Sequence, residues 1–358
     1  MRDIKPPNIL MLSRYSRLGA SSRLRFFQYL PYLEKVGFSF TIRPFFGDNY
    51  LADLYNGKMP LFSVLKSYIS RVVTMLGAQR FDAIWMEAEL LRWLPAWVEE
   101  ALFPSDVPLV VDYDDAIFHW YETQRFPGVS RLLGQKINRI MAMAELVVVG
   151  NDHLGNYAHS AGAKRVEKVP TVVDIDRYFV PDRDISRCVT VGWIGTPVTA
   201  KFLSHISEAL QIVVNKYGVS IVAVGAKPQQ LHGLPVEVRP WQETTEVAEI
   251  QGFDIGLMPL PDEPYERGKC GYKLIQYMAC GKPVVASPVG ANTEIVRHGE
   301  NGFLATTSDQ WIDALSHLVE DPNLRFRMGQ KGRRMVESAY SLQMQAPRLE
   351  GMLCSVIS

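Results

Sequence analysis

The strongest candidate for chemistry is a glycine-rich stretch with two lysines, in the sequence PDEPYERGKCGYKLIQYMACGKPVVASPV at residues 261–289. Gly268 and Gly271 would let the backbone approach a ligand closely, and a helix is predicted to follow them directly. A helix N-terminus carries about half a positive charge and favours phosphate groups. Lys269 and Lys273 flank this N-terminus, where cations oppose the helix dipole. We therefore predict that they bind a diphosphate; the alternative is two solvated lysines at a helix end.

A second candidate site follows the first apolar run of the chain. The loop LGASS at residues 18–22 consists mostly of small residues and opens a predicted helix over residues 23–35, which carries Arg23 and Arg25. Small residues let a ligand come close to the backbone, although such a turn is more often a simple connection. Residues two apart lie on different faces of an α-helix. We therefore predict that one of the two arginines is solvated.

A third group consists of the carboxylates Asp112, Asp114 and Asp115, at the end of an apolar strand. Carboxylates at the carboxyl edge of a sheet can position an acceptor hydroxyl or take its proton. The alternative for Asp114 or Asp115 is a cap on the following helix. No histidine and no second acidic motif accompany them, so we expect no metal site. Glu87 and Glu89, which follow a neighbouring apolar run, are further candidates on the acceptor side.

The elements that must position these residues are β-α-β units. Short apolar runs alternate with amphipathic stretches in two series, which predicts an α/β fold with two doubly wound, Rossmann-like domains facing a cleft. A polar segment after Pro181 marks the boundary between an N-terminal domain, residues 1–181, and a C-terminal domain, residues 182–341. A helix over residues 342–358 is expected to return to the first domain, although Pro347 would interrupt it.

The composition excludes several classes of protein. The 358 residues are 47% apolar and 21% charged, enough to bury two cores. With 38 basic and 38 acidic side chains, no global field attracts nucleic acid. The four cysteines lack C-x-x-C spacing and are expected to be reduced, mostly buried thiols without zinc. Prolines near the N-terminus argue against a signal peptide, and no apolar run is long enough to span a membrane, so a cytoplasmic protein is expected.

The zero net charge conceals a basic N-terminal region. Residues 1–80 hold twelve Lys/Arg against four Asp/Glu, whereas residues 81–122 hold ten acids and one base. Within the basic region, an apolar stripe recurs at helical spacing: Phe62, Leu65, Ile69, Val72, Val73 and Leu76. Arg71 lies on the opposite face. Such a helix could lie on an anionic membrane surface, or it could pack on its own sheet, which is the commoner arrangement.

Several of these segments together resemble the family 4 glycosyltransferases, which are retaining enzymes with the GT-B fold. The run YMACGKPVVASPVG, with Gly-x-x-Gly before it, resembles their donor-binding segment. VGWIGTPVT at 191–199 and FDIGLMPLPD at 253–262 resemble parts of their C-terminal domain, and ASSRLRFFQYLPYL at 20–33 and VVDYDDAIF at 110–118 resemble their N-terminal domain. The resemblance therefore covers most of the chain.

The resemblance implies a role for each candidate residue. The implied donor-binding residues are Gly19, Arg23, Gly195, Thr196, Lys201, Trp241, Gly268, Gly271, Tyr272 and Gln276. The implied catalytic residues, which position the acceptor or stabilise the leaving diphosphate, are Asp114, Asp115, Lys269 and Lys273. Those implied on the acceptor side are Glu87 and Arg25.

The chain departs from the family pattern at several positions. Most members have two glutamates in the donor loop, and Gly268 and Gln276 stand in their places here. The transferred sugar therefore lacks its expected carboxylate, whereas the Gln276 amide can still hydrogen-bond a ribose. Thr196 replaces a family arginine, and Lys201 keeps a family lysine. Trp241 stands where the family holds the nucleotide base, while Trp193 is expected in the core.

The resemblance implies transfer of a sugar, with retention, from a nucleotide-diphosphate sugar to a saccharide or lipid-linked acceptor in surface polysaccharide assembly. It implies no metal, no cofactor and no nucleic acid, and an anionic membrane is a further partner if the basic helix docks there. Two alternatives remain: a GT-B sugar-nucleotide epimerase that uses carboxylates, and a non-catalytic nucleotide-sugar-binding relative that has lost both glutamates. A dehydrogenase is disfavoured because no G-x-G-x-x-G follows the first strand.

Overall fold

The computed structural model describes residues 6–55, 61–123, 127–181 and 188–357. The chain divides into two compact units: unit 1 is Met1–Thr171 with Gln345–Ser358, and unit 2 is Val172–Met344. Residues 172–181, which the sequence places in the first domain, thus lie in unit 2. The reason is a backbone pairing in which Val173 N donates to Tyr340 O at 3.1 Å and Leu342 N donates to Val173 O at 2.8 Å.

Unit 1 is built on a six-stranded sheet in which all neighbouring strands are parallel, in the order β2-β1-β3-β4-β5-β6. Its strands are β1 (Asn8–Leu12), β2 (Ser39–Ile42), β3 (Ala83–Glu87), β4 (Leu109–Tyr113), β5 (Leu146–Val149) and β6 (Val166–Lys168). The central strands are apolar along most of their length because both sheet faces are covered.

The helices of unit 1 occupy the connections between these strands. They are α1 (Ala20–Ser22), a π-helical turn (Arg23–Phe27), α2 (Leu30–Lys35), α3 (Asp48–Tyr55), α4 (Leu61–Leu76), a 3₁₀ turn (Ala78–Arg80), α5 (Ala96–Glu100), α6 (Phe118–Glu122), α7 (Pro127–Leu133), α8 (Lys136–Met143) and α9 (Asp152–Ser160). The continuous helix predicted over 23–35 is therefore wrong, because a π-helical turn interrupts it.

Unit 2 also has a parallel six-stranded sheet, in the order β12-β11-β10-β7-β8-β9. Its strands are β7 (Thr190–Ile194), β8 (Ser220–Val224), β9 (Glu237–Arg239), β10 (Ile255–Met258), β11 (Val284–Ala286) and β12 (Gly302–Leu304). Two parallel α/β sheets confirm the predicted fold class.

The helices of unit 2 and the C-terminal helix follow the same alternation. They are α10 (Pro197–Ala200), a 3₁₀ turn (Lys201–Ile206), α11 (Ser207–Tyr217), a 3₁₀ turn (Pro228–Leu231), α12 (Glu246–Gln251), α13 (Pro264–Arg267), α14 (Tyr272–Ala279), α15 (Asn292–Ile295), α16 (Ser308–Glu320), α17 (Pro322–Ala339) and α18 (Leu342–Ile357). Helix α18 runs through Pro347 without the predicted interruption. Pro347 lies in its second turn, where the lost N–H removes only one backbone hydrogen bond.

Alternate residues of the unit 2 strands enter two apolar clusters, one on each face of the sheet. Trp193 is buried in one of them, as the sequence predicts. Glycines on the strands let large rings lie directly on the sheet: a Cβ on Gly192 would lie 2.0 Å from the Phe253 ring, and one on Gly256 would lie 2.3 Å from the Tyr277 ring. This packing fixes α14, which carries Tyr277, against β10.

Each sheet has one point at which the strand order reverses, and ligands of doubly wound folds bind at the carboxyl ends of the strands there. In unit 1 this switch point lies between β1 and β3, and in unit 2 it lies between β7 and β10. The loops that follow these four strands contain most of the predicted site residues.

Helix α4 of unit 1 does not pack its apolar face on the sheet, which is the commoner of the two arrangements considered from the sequence. Its apolar stripe is exposed, with Phe62 91%, Val73 62% and Ile69 57% accessible. Arg71 is buried instead: it donates a hydrogen bond to Ser13 O at 2.9 Å, and its guanidinium lies 5.3 Å from the Phe45 ring centroid. The interpretation that α4 hides its apolar face on the sheet is thus wrong.

Two other sequence expectations concern the cysteines and the membrane. Cys270 and Cys280 are buried, but Cys188 and Cys354 are exposed, so the expectation of mostly buried thiols holds for only half of them. None of the helices formed by the described residues combines the length and apolar character needed to cross a bilayer.

Candidate active site

The glycine-rich loop of unit 2 opens helix α14 as predicted. Gly271 is the N-cap residue with φ 65°, in the left-handed region, and a Cβ there would lie 2.3 Å from Ile295 Cδ1. Both the backbone conformation and the available space therefore require glycine at position 271. Gly268 differs, because its φ of −77° is one that any residue adopts. The N-terminus of α14 follows β10 at the switch point.

Lys273 lies beside the loop that follows β7. A Cβ placed on Gly195 would lie 2.7 Å from Lys273 Cε, and Lys273 Nζ lies 5.6 Å from the Trp193 ring centroid. The structure therefore brings together Lys273, Gly195 and the N-terminus of α14 at the switch point. A cation beside a helix N-terminus can bind an anion. Lys269 instead lies over Tyr265 of α13, with Nζ 4.8 Å from the ring centroid.

Thr196 and Lys201 lie further along the same β7 connection. Thr196 is the exposed N-cap of α10, and its side chain makes no capping hydrogen bond. Lys201 is exposed, with Nζ 5.3 Å from the Phe202 ring centroid. A hydrogen bond from Gly195 N to Val224 O at 3.0 Å fixes the start of this connection.

The residues predicted to bind the nucleoside form a hydrogen-bonded chain in unit 2. Gln276 Nε2 donates to the Tyr178 hydroxyl at 2.9 Å, and that hydroxyl donates to Glu246 Oε1 at 2.6 Å. The Trp241 indole N–H donates to the other oxygen, Oε2, at 2.7 Å. Tyr178 and Glu246 thus connect Gln276 to Trp241, although neither was among the predicted site residues.

Burial raises the pKa of the Tyr178 hydroxyl well above its usual range, with Tyr272 and Glu246 adding to the effect. The hydroxyl is therefore a neutral donor at physiological pH. The sequence contains no motif that marks Tyr178, which lies between β6 and β7. Glu246 is the first residue of α12. The helix dipole favours an acidic residue at that position in any helix, so the sequence does not mark Glu246 as functional.

Gly225 lies between Trp241, which is predicted to bind the nucleoside, and Gly195, which lies beside Lys273. It follows β8 with φ 86°, and a Cβ there would lie 2.1 Å from Gly195 O and 3.2 Å from Trp241 Cβ. Gly195, Gly225 and Trp241 are thus neighbours along the carboxyl edge of the unit 2 sheet. Lys273 and Gln276 lie on α14, one turn apart.

The unit 1 candidates also converge at a switch point. Ser22 Oγ donates to Glu87 Oε2 at 2.5 Å, and Arg14 N donates to the same oxygen at 2.7 Å. Ser21 Oγ donates to Asp114 Oδ2 at 2.5 Å. The loop that begins at Gly19 is therefore connected by hydrogen bonds to the ends of β3 and β4.

Glycine is required at position 19 for space, since a Cβ there would lie 2.4 Å from Tyr15 Cβ. Burial raises the pKa of Glu87, and Asp114 adds to the rise while Arg14 opposes it. Asp115 lies in the short connection between β4 and α6, where its carbonyl accepts from Ile117 N at 2.9 Å.

The prediction that one of the two arginines is solvated is wrong. Arg23 is 7% and Arg25 is 1% exposed. The two arginines lie in a π-helical turn, and such turns are frequent at functional sites. Arg25 pairs with Asp112, with Nε 2.7 Å from Oδ1 and Nη2 3.0 Å from Oδ2, and it also donates to Val169 O. Asp112 is thus bound to Arg25 inside unit 1.

A second buried ion cluster follows β3 and contains Glu89, the other carboxylate predicted on the acceptor side; the sequence did not indicate its pairing with Lys136. Lys136 Nζ lies 2.6 Å from Glu89 Oε2 and 2.8 Å from Glu99 Oε1. The net pKa of the Glu89 carboxyl is lowered. Burial alone would raise it, but the positive charges of Lys136 and Arg14 outweigh the effect of burial. Ala88 and Trp93 have φ of 62° and 60°. Such strain in non-glycine residues is concentrated at functional sites.

No group of three or more His, Cys, Asp or Glu side chains that could hold a metal occurs within the part of the chain that the structure describes. The positive charge beside the candidate anion site is the ammonium group of Lys273.

Two parallel α/β units, each with its candidate residues at a switch point, define the GT-B class of glycosyltransferase folds. Residues 186–321 match the family model described as Glycosyl transferases group 1. This match agrees with the resemblance to glycosyltransferases found in the sequence, while family 4 and the retaining mechanism stay predictions.

Comparisons with whole proteins agree with this assignment. Curated D-inositol 3-phosphate glycosyltransferases of Mycobacterium tuberculosis and Mycobacterium bovis are 26% identical to this chain over 239 residues, covering 58% of this chain and 46% of their own length. The chain thus spans about half the length of these curated relatives.

Two solved structures share the fold over nearly the whole chain. HepE of Anabaena in complex with UDP has a TM-score of 0.70 at 18% identity, covering 98% of this chain and 100% of that chain. Sucrose-phosphate synthase from Thermosynechococcus elongatus has a TM-score of 0.73 at 16% identity, covering 98% of each chain.

Proposed function

We propose that this protein is a retaining glycosyltransferase that moves a sugar from a nucleotide-diphosphate sugar to a saccharide or lipid-linked saccharide. The observation that carries the proposal is the convergence of Lys273, Gly195 and the N-terminus of α14 at the switch point of unit 2, within a family-matched domain. These groups supply a cation, a close backbone approach and oriented N–H donors, which is what a diphosphate requires.

In the proposed reaction the bond between the sugar C1 and the β-phosphate oxygen breaks, and a bond from C1 to the acceptor oxygen forms on the same face. The proton of the acceptor hydroxyl passes to the leaving phosphate. The chain's part is to hold the donor and to stabilise the charge that develops on the diphosphate. Lys273 and the α14 N–H groups are proposed to do this without a metal, and Lys269 and Lys201 are proposed to add positive charge.

The acceptor side is proposed for unit 1, at the ends of β1, β3 and β4. Asp114, held by Ser21, and Glu87, held by Ser22, supply carboxylate oxygens that can accept hydrogen bonds from sugar hydroxyls. The curated relatives are named for a phosphorylated inositol acceptor. Inositol phosphates and lipid-linked sugars are therefore the acceptors to test first, and surface polysaccharide assembly is the setting proposed for the latter.

The donor is tested by thermal unfolding with UDP, GDP and ADP, with UDP first because HepE was solved with UDP and with UDP-glucose. A diphosphate at about 100 times its Kd stabilises a protein by about 2.7 kcal/mol, a shift of several degrees in Tm. The NDP-sugar conjugates are then incubated with and without acceptor, and the anomer of the product is read by NMR.

Release of the nucleoside diphosphate with a retained anomer would support the proposal. Conversion of the sugar with the nucleotide still attached would indicate the epimerase alternative. Binding without hydrolysis or transfer for every acceptor would indicate the non-catalytic relative. If no nucleoside diphosphate raises the Tm, the donor site is assigned wrongly.

We also propose that unit 1 associates peripherally with an anionic membrane through α4. The exposed apolar stripe of this helix contains Leu61, Phe62, Leu65, Ile69, Val73 and Leu76. The chain has no acidic residue between Asp53 and Asp82, whereas Lys66 and Arg80 are exposed on and after the helix. This combination of an apolar face and basic flanks fits a lipid surface with negative headgroups better than a protein partner.

The other face of α4 is tied to unit 1. Arg71 donates to Ser13 O, and the Tyr68 hydroxyl donates to Arg92 O. The helix therefore cannot rotate to bury its stripe without breaking these hydrogen bonds. Each basic residue near an anionic surface contributes about 1 kcal/mol, so binding should depend on both salt and apolar contact. The cytoplasmic leaflet is the proposed site, because it carries anionic lipid.

The test is cosedimentation with vesicles of phosphatidylcholine alone or with phosphatidylglycerol, at low and high salt. Wild type should bind the anionic vesicles at low salt, and the triple variant Phe62→Ser, Leu65→Ser, Ile69→Ser should not. Leu132→Ser and Met344→Ser, at exposed apolar positions outside the stripe, serve as controls. Equal binding to neutral vesicles, or a wild-type dimer that the triple variant dissociates, would overturn the membrane assignment.

A further inference from the structure

The hydrogen-bonded chain Gln276–Tyr178–Glu246–Trp241 has a defined direction. Tyr178 has one hydroxyl proton, which it donates to Glu246, so it can only accept from Gln276. Gln276 must therefore turn its NH₂ group towards Tyr178. Its Oε1 atom accepts no hydrogen bond from any residue in the described part of the chain, although the Gln276 side chain is only 3% exposed.

Glu246 has a similar effect on Trp241. The Glu246 carboxylate is 7% exposed, and its two oxygens bind the Tyr178 hydroxyl and the Trp241 indole N–H at 2.6 and 2.7 Å. One buried carboxylate thus fixes both the ring and the amide. The Tyr178 backbone is held in turn, because the Arg333 guanidinium donates to the carbonyls of Tyr178 and Ala279.

Resting on the proposed function, we propose that Tyr178 and Glu246 are positioning residues that orient the Gln276 amide towards a ribose hydroxyl of the donor and the Trp241 ring towards its base. The resemblance expects a glutamate at position 276, whose carboxylate would itself accept from the ribose. In this chain the negative charge lies at Glu246, and the relay through Tyr178 leaves the Gln276 carbonyl as the acceptor. Nucleoside recognition thus depends on a carboxylate that does not itself touch the nucleotide.

The charge arrangement makes a specific consequence testable. Gln276→Glu restores the family residue, but it places two buried carboxylates on the single Tyr178 proton, so binding should weaken. Combining Glu246→Gln with Gln276→Glu reverses the relay. The new amide at position 246 would donate to Tyr178 and accept from Trp241, and Tyr178 would donate to the new carboxylate at position 276. The double variant should therefore bind better than Gln276→Glu alone.

The experiment is titration calorimetry with whichever of UDP, GDP and ADP binds wild type tightest, and with its 2′-deoxy and 3′-deoxy counterparts. Wild type should prefer the ribonucleotide over one deoxy form by about 3–10-fold, the range of one hydrogen bond. Tyr178→Phe should reduce that preference to below about 2-fold. Binding of inorganic pyrophosphate should not change, because Lys273 and the α14 N-terminus are intact.

Tyr277→Phe is the matched control. Tyr277 belongs to the same apolar cluster, but its hydroxyl has other partners: it accepts from Ile194 N and donates to Leu257 O. Its loss should lower the Tm but leave the ribose preference unchanged. If Tyr178 had a purely structural role, Tyr178→Phe would behave like Tyr277→Phe: the Tm would fall and the ribose preference would not change.

The outcomes separate the two proposals. If no nucleoside diphosphate binds wild type, the proposed function fails. If wild type binds and Tyr178→Phe keeps the full ribose preference, the positioning role is wrong. If Tyr178→Phe does not fold, the test is the comparison of Gln276→Glu with the double variant. Tighter nucleotide binding by the double variant, which adds Glu246→Gln, supports the positioning role. Additive or worse loss in the double variant contradicts it.

Discussion

Lys273 Cε lies where a Cβ on Gly195 would come within 2.7 Å, so the absence of a side chain at Gly195 creates the space that Lys273 occupies. The two residues are far apart in sequence and follow different strands of unit 2. Their proximity places an ammonium group beside a backbone turn and near the N-terminus of α14. A diphosphate bound there would contact the backbone turn at Gly195, after β7. It would also contact the Lys273 ammonium and the N–H groups of α14, after β10.

Lys273→Ala should weaken nucleoside diphosphate binding by about 10–100-fold, because a charge-assisted hydrogen bond contributes about 1.5–3 kcal/mol. The measurement is titration calorimetry with UDP, GDP or ADP. Lys216→Ala removes an exposed lysine of α11 and should leave the affinity unchanged. A Lys273 variant that binds as tightly as wild type would sink the assignment.

Gly271→Ala should weaken both folding and diphosphate binding. The substitution strains a left-handed residue, at about 1–2 kcal/mol, and also forces Ile295 away from the start of α14. Gly299→Ala is the control, since Gly299 has φ 77° with no atom within 4 Å of the added Cβ. It should lower the Tm by the strain alone and leave binding intact. Equal effects of the two changes on binding would contradict the role of the α14 N-terminus.

Transferase activity should survive dialysis against EDTA, because lysines and a helix dipole neutralise the leaving diphosphate. The assay compares turnover before and after chelation, and after Mg²⁺ or Mn²⁺ is added back. Loss on chelation with recovery on metal addition would contradict the prediction. Asp114 and Asp115 would then become candidate ligands, since Asp112 is engaged by Arg25.

Thiol labelling of the folded protein at pH 8 should show two fast and two slow cysteines. Cys188 and Cys354 are exposed, whereas Cys270 and Cys280 are buried. Burial raises the pKa of Cys280 to about 12, so the reactive thiolate is negligible there until the protein unfolds. Cys188→Ser with Cys354→Ser should abolish the fast phase, and denaturant should release the slow one. A fast phase in the double variant would contradict the burial.

The amino-acid sequence determined the class of fold and the place of the glycine-rich loop before α14. Alternation of apolar runs with amphipathic stretches is a local property, and it predicted the parallel sheets of both units. Gly271 is also locally determined, because a left-handed N-cap before a helix favours glycine wherever it occurs. The small-residue loop at Gly19 and the carboxylates after β3 and β4 could be placed at a sheet edge from strand polarity alone.

Only the tertiary structure decided which side chains meet. Tyr178 and Glu246 could not be found from the sequence, because they lie on different elements and no spacing rule relates them. The burial of Arg25 depends on Asp112 from β4, and Arg71 is buried because Ser13 O accepts its hydrogen bond. Hydrophobic periodicity shows that α4 has two faces, but the partners on unit 1 decide which face is covered. These outcomes depend on long-range contacts, which local pattern does not encode.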